Sequence, residues 1–264
     1  MLRTRVIPCL LLKDQGLVKT VKFSDPTYVG DPINAVRIFN DKQVDELLFL
    51  DITASVEGRK PNFKVISEIA SECFMPLGYG GGIRSLEDIG TLLVSGVEKA
   101  CINSRVVENP ALIKSASDAF GSQSIVVSID VKKNLFGKNV VYIYSGSRNT
   151  GLDPVEYAKQ VEQLGAGEIF LNSIDRDGTM QGYDVDLVRK LSDAVTIPVV
   201  ACGGAGKLSD IDEVLGKGGA SAAAAGSLFV FHGKHRAVLI SYPSKQELKS
   251  AFQQPVGPLG PRLN

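Results

Sequence analysis

The stretch PLGYGGGIRSLEDI at residues 76–89 returns 122 residues later as PVVACGGAGKLSDI at residues 198–211. Pro76 falls on Pro198, Gly81 on Gly203, Gly82 on Gly204 and Asp88 on Asp210. The same shift lays GVEKACINSRV (96–106) on GGASAAAAGSL (218–228), and ELLFLDI (46–52) on EIFLNSI (168–174). One offset that satisfies three separate segments marks an internal repeat rather than a chance match. Each copy reads as a short apolar run followed by an amphipathic stretch, which is the pattern of a strand feeding a helix.

Outward from the repeat, apolar runs near 5–12, 46–52, 75–79, 98–103, 124–131, 167–174, 197–202 and 219–225 predict strands. Helical patterns fill the intervals over 32–43, 62–72, 85–96, 109–120, 153–165, 185–194, 208–218 and 244–252. Several open with Asp or Asn ahead of Pro, as in Asp31-Pro32 and Asp153-Pro154, which suits a helix start. Eight strands alternating with eight helices in about 250 residues is the count of a (β/α)8 barrel. The expected fold class is therefore α/β: a (β/α)8 TIM barrel made of a duplicated half-barrel. It covers residues 1–252 as one domain, and the Pro/Gly-rich end QQPVGPLGPRLN (253–264) is expected to be a flexible tail.

Composition excludes several function classes. The 29 Lys and Arg balance 29 Asp and Glu, and no basic stripe points to nucleic acid. The start MLRTRVIPC lacks the apolar core of a signal peptide. The longest apolar run, Ala222 to Phe231, is too short to span a bilayer. A cytoplasmic protein with no membrane partner is expected. Cys9, Cys73, Cys101 and Cys202 form no CxxC pair, so they read as reduced, mostly buried thiols. His232 and His235 have no acidic or thiol neighbours in sequence and read as surface residues. No metal and no cofactor is expected.

In a barrel of this kind the chemistry sits at the C-terminal ends of the strands. Laying Lys13 on Lys132 places Leu11 opposite Asp130, so one half keeps a carboxylate where the other has a leucine. Alternation puts Val126, Ser128 and Asp130 on one face of their strand. Asp130 is thus a candidate general acid or base, with loop capping as the alternative. Gly81-Gly82 and Gly203-Gly204 each lead into a helix, where free N–H groups bind anions. Asn103-Ser104 and Ala225-Gly226-Ser227 follow the next strand in each half. The pairing predicts two phosphate sites across the mouth and a ligand phosphorylated at both ends; tight turns are the alternative. Lys19 is expected in the loop after the first strand. Asp51, Asn172, Ser173, Asp175 and Asp177 mark other strand ends, as ligand contacts or caps. At the opposite end Arg5, Glu46, Lys99 and Glu168 start four strands and balance in charge. They predict a closed ring across the barrel bottom, since buried charges persist when paired.

Together these residues resemble the cyclase subunit of imidazole glycerol phosphate synthase, the HisF family, over roughly residues 3–252. The resemblance rests on LKDQG (12–16) with Lys19, FLDITAS (49–55), GYGGGI (78–83), SID (128–130), SGSRNTG (145–151), GAGEI (165–169), SIDRDGTMQGYD (173–184) and GGAGK (203–207). It implies a glutaminase partner, HisH-like, at the N-terminal barrel face. Ammonia would enter through a gate of Arg5, Glu46, Lys99 and Glu168 and travel along the barrel axis. It also implies a doubly phosphorylated nucleotide held by Gly82, Asn103, Ser104, Gly204, Ala225 and Gly226.

Leu11 departs from that pattern, because the family uses one aspartate on the first strand and one on the fifth. The changes DQG and Lys22 lie near the same wall of the mouth. IPCLLLKDQGLVKTVKF (7–23) and FVFHGKHRAVLISYPSK (229–245) are more similar to a paralogous branch associated with surface-polysaccharide clusters. The resemblance to that branch implies ammonia delivery for converting an acetamido sugar to an acetamidino sugar. Imidazole glycerol phosphate cyclase activity (a lyase of histidine biosynthesis) and non-catalytic activation of a glutaminase are the alternatives.

Overall fold

A computed structural model describes residues 4–252; the proposed tail lies outside the described residues. Eight strands form the barrel: β1 (Arg5–Lys13), β2 (Leu47–Asp51), β3 (Leu77–Gly80), β4 (Lys99–Ile102), β5 (Ile125–Lys133), β6 (Glu168–Ser173), β7 (Val199–Cys202) and β8 (Ala222–Ala225). Every neighbouring pair is parallel, and β8 pairs back onto β1 through Arg5–Ala222 to Pro8–Ala225, so no edge remains. The helices between them are α1 (Pro32–Lys42), α2 (Phe63–Glu72), α3 (Leu86–Val94), α4 (Ala111–Phe120), α5 (Pro154–Gln163), α6 (Val185–Ala194) and α7 (Leu208–Gly216), with α8 (Lys245–Phe252) last.

The helix starts follow from capping. Asp31 accepts the Asn34 N–H ahead of Pro32, and Asp153 accepts from Val155 and Glu156 ahead of Pro154. Ser85 and Asp88 close a reciprocal capping box on α3. Strand alternation then divides the apolar side chains into two layers. Leu10, Phe49, Ile102, Val127 and Leu171 point outward and pack under the helices. Ile7, Cys9, Leu48, Cys101, Val126, Phe170, Val200 and Cys202 fill the lumen. The barrel interior is thus a packed core with a narrow axis.

The structure adds elements the periodicity did not give. Residues 16–21 and 24–30 form an antiparallel hairpin on β1, and 139–143 pairs with the end of β5. Both hairpins leave the first strand of a half-barrel, so they extend the duplication. Short helices Ser104–Glu108 and Ser227–Val230 follow β4 and β8, again half a barrel apart. Lys19 is corrected by this arrangement. It lies within a strand of the first hairpin rather than in a loop. Among the described residues no helix is long and apolar enough to cross a membrane.

Candidate functional site

A cleft of about 280 Å³ opens at the C-terminal ends of the strands. Its wall gathers Leu11, Lys19, Asp51, Gly81, Gly82, Asn103, Ser104, Asp130, Asp177 and Gly226 from the residues singled out above. Gly203, Gly204, Ala225 and Ser227 lie outside that wall. Two neighbouring segments pack over that end. The stem of Lys19 lies over Gly226, where a Cβ would come within 2.9 Å of Lys19 Cε. Loop 174–184 packs on the second glycine pair, with Gly182 donating to the Gly204 carbonyl at 2.8 Å. The two half-barrels are alike in backbone, but only one end opens into the cleft.

Three carboxylates line the cleft, and their surroundings separate them. Asp51 accepts the N–H groups of Thr53 and Ala54 at 3.1 and 3.0 Å and pairs with both terminal nitrogens of Arg59 at 2.8 and 2.9 Å. It caps and holds its own loop. Asp177 accepts from Lys19 Nζ at 2.7 Å, from Thr20 Oγ1 at 2.8 Å and from the Phe23 N–H at 3.3 Å, so it anchors the hairpin. Asp130 has weaker partners: Ser128 Oγ at 3.2 Å and Asn103 Nδ2 at 3.3 Å. Burial raises its pKa to about 7, the Ser128 hydrogen bond opposes that, and the charge of Asp177 adds to it. Asp130 is therefore the carboxylate of this wall poised to give or take a proton near neutral pH. Leu11, paired in register with Leu50 on β2, offers hydrocarbon where a second acid would be needed.

The glycine pairs have a packing explanation. Gly81 has φ +118°, and a Cβ there would sit 2.5 Å from the Asp51 carbonyl oxygen. Gly203 has φ +92°, and its Cβ would sit 2.6 Å from the Ser173 carbonyl oxygen. Asp51 and Ser173 are themselves 122 residues apart, so the same close approach recurs in each half. Two buried polar atoms lack a protein partner here: Asn172 Oδ1, in the cleft wall, and Ser227 Oγ, after β8. Unpaired buried acceptors and hydroxyls are costly unless a ligand or water completes them. Asp175 is spent elsewhere, accepting the Lys133 N–H at 2.9 Å.

At the barrel bottom the expected ring is closed. Arg5 donates to both Glu46 and Glu168, and Lys99 Nζ lies 2.9 Å from Glu46 and 2.8 Å from Glu168. Burial alone would lower the Arg5 pKa, but hydrogen bonding and charge from Glu168 and Glu46 raise it. Above the ring sits a void of about 10 Å³ between Ile7, Leu48, Gly78, Val126, Phe170 and Val200. That volume suits one water-sized molecule. Further up, Cys101 is neutral because burial pushes its thiol well above the usual range. The described lumen between ring and cleft is thus lined by hydrocarbon and by the thiols of Cys9, Cys101 and Cys202.

Sequence reasoning missed Ser55, Arg105 and Phe23, which also line the cleft, and Arg59, which holds the Asp51 carboxylate there. Arg59 was concealed in a loop whose neighbours Glu57 and Lys60 make the charge look solvated. No group of three or more His, Cys, Asp or Glu side chains suited to a metal occurs among the described residues.

The family model described as histidine biosynthesis protein matches residues 5–236. A protein of Pseudomonas aeruginosa, provisionally described as imidazole glycerol phosphate synthase subunit hisF2, is 55% identical over 94% of this chain and 99% of its own length. A protein of Vibrio vulnificus, provisionally described as subunit hisF3, is 51% identical over 96% of this chain and 98% of its own. The imidazole glycerol phosphate synthase subunit HisF of Alkaliphilus metalliredigens is 45% identical over 88% of this chain and 92% of its own.

Proposed function

The chain belongs to the HisF family of imidazole glycerol phosphate synthase subunits, and from that premise we propose that it is an ammonia-receiving subunit diverted from cyclisation. On this reading a glutaminase docks on the N-terminal face and releases ammonia at the ring of Arg5, Glu46, Lys99 and Glu168. Ammonia crosses the apolar lumen and emerges beside Asp130. It is used for amidination of a sugar, the acetamidino modification of surface polysaccharide. The acceptor carries phosphate held on the Gly82 and Ser104 side of the cleft, with Gly204, Ala225, Gly226 and Ser227 as the second anion site.

The observation that carries the reading is the pairing of a complete ring with an incomplete acid/base pair. The ring and the void above it suit passage of a small neutral molecule. Leu11 removes the partner that Asp130 would need to move protons in both directions. Loss of a general acid or base costs about 10²–10⁴-fold in rate. The numbered names of the Pseudomonas and Vibrio relatives support a paralogous branch.

Cyclase activity is the second reading. It is favoured by Asp130, whose pKa near 7 suits proton transfer, and by the Alkaliphilus relative. The experiment is steady-state cyclase turnover with the family nucleotide and saturating ammonium, comparing wild type with Leu11→Asp. The expected result is no wild-type turnover and a measurable rate in Leu11→Asp, a gain of about 10²-fold or more. Robust wild-type turnover would return the protein to histidine biosynthesis.

A further inference from the structure

The cleft does not end at the Gly82 and Ser104 side. A groove of about 450 Å³ continues outward from it, sharing Ser55, Gly82, Ile83, Ser104 and Arg105 with the cleft wall. Gly58, Arg84, Glu108 and Tyr144 complete its lining. Its charges do not cancel. Glu108 is engaged by the Tyr144 hydroxyl at 2.6 Å and by Arg148 at 3.3 Å. Arg105 reaches it only at 3.8 Å. Among the described residues Arg84 pairs with no carboxylate; its guanidinium lies by Gly58, 3.4 Å from where a Cβ would be. Two guanidinium groups thus face a groove with one carboxylate that is already occupied.

The duplication gives an internal comparison. At the offset of 122, Arg84 corresponds to Gly206 and Arg105 to Ser227. The arginines are additions to the repeated frame, made at one end only. A fork of N–H donors is the geometry that matches phosphate oxygens. We propose that this groove is a second anion subsite directly adjoining the first, so the ligand carries a diphosphate at the Arg84 and Arg105 end. The shared wall of the cleft and groove places the two anions next to each other, as a phosphoanhydride requires. The inference rests on the reading that an anion of the acceptor occupies the Gly82 and Ser104 side.

The test is calorimetric titration of the full chain with inorganic phosphate and with inorganic pyrophosphate at fixed ionic strength. Wild type should bind pyrophosphate about tenfold more tightly, since each exposed charge pair is worth up to about fivefold and two arginines act together. Arg84→Ala, at the arginine that lines only the groove, should lose most of that preference while its phosphate affinity stays within about twofold, and Arg84→Ala/Arg105→Ala, which also alters the cleft wall, should lose it wholly. Arg84→Lys/Arg105→Lys, which keeps charge without the fork, should recover part of it. Both arginines are exposed, so unchanged thermal midpoints check that folding is intact. Phosphate and pyrophosphate binding equally, or an undiminished preference in the alanine variants, overturns the diphosphate and leaves the single-phosphate reading standing. Binding of neither overturns both.

Discussion

Lys19 Nζ lies 2.7 Å from Asp177 Oδ1, and both side chains are almost wholly withdrawn from water. The pair joins the first hairpin to loop 174–184. Removing one partner of a buried pair costs about 3–5 kcal/mol when the other charge stays buried. Here the hairpin can undock and return Lys19 to water, so part of that cost appears as local opening. Asp177→Ala should therefore lower the thermal midpoint and speed proteolytic cleavage within residues 14–30. Lys19→Met/Asp177→Leu, which leaves no orphan charge, should keep the hairpin docked. Equal protease resistance in Asp177→Ala and wild type would show that the pair does not hold it.

Lys99 bridges Glu46 and Glu168, and both carboxylates are buried. Lys99→Met keeps most of the stem and leaves Arg5 alone to serve two negative charges. The expected loss is about 2 kcal/mol, below the range for a fully buried pair because the lysine is partly exposed. Adding Glu168→Gln removes the uncompensated charge and should restore part of the loss. Urea denaturation of both variants and of Glu168→Gln alone measures this. If the double variant is the weaker by the sum of the single effects, the ring is not acting as one network.

The eight strands and eight long helices were legible because burial imposes its period on the sequence, and because the 122-residue offset checks each segment twice. Register was legible for the same reason: Leu11 and Asp130 both line the cleft. The first hairpin was not legible. Its turn at Lys22-Phe23 has φ of 52° and 61°, between Val21 and Ser24, without the Asn or Gly that usually announces a two-residue turn. Asp177 makes up the deficit, since its carbonyl accepts the Lys22 N–H and its carboxylate the Phe23 N–H. A turn stabilised from 155 residues away leaves no local signature. The second anion end is ambiguous in sequence for a related reason, because repeated glycines report backbone approach as readily as ligand approach.

Asp130 gives stability an unusual pH dependence. Its folded pKa is raised from the ordinary 3.8 to about 7. The folded state then holds a proton that the unfolded state releases between those values. Stability is full below about pH 4 and falls as pH rises towards 7, by on the order of 3–4 kcal/mol from this group. Asp130→Asn should lose that slope and be the more stable protein at pH 8. Chemical denaturation at pH 4.5, 6 and 8 tests it. A wild type that loses no stability relative to the variant over this range would mean that Asp130 is ionised throughout.

The repeated glycines offer a test of whether packing or ligand binding explains them. At Gly81 and Gly203 a methyl group would meet backbone oxygens at 2.5 and 2.6 Å, and both residues have positive φ. A carbonyl in a barrel strand end cannot move aside as a flexible side chain can. Alanine at either site should cost about 2–4 kcal/mol, combining strain with a backbone clash. Gly137, with φ +75° and nothing within 4 Å of its would-be Cβ, isolates the conformational part. Alanine there should cost only about 1 kcal/mol. Thermal unfolding of the three variants compares them without any ligand. Matching large losses at 81 and 203 would assign both glycines to the fold. Losses no larger than at 137 would mean the close approach is relieved at little cost, and the case for glycines that admit an anion would then be the stronger one.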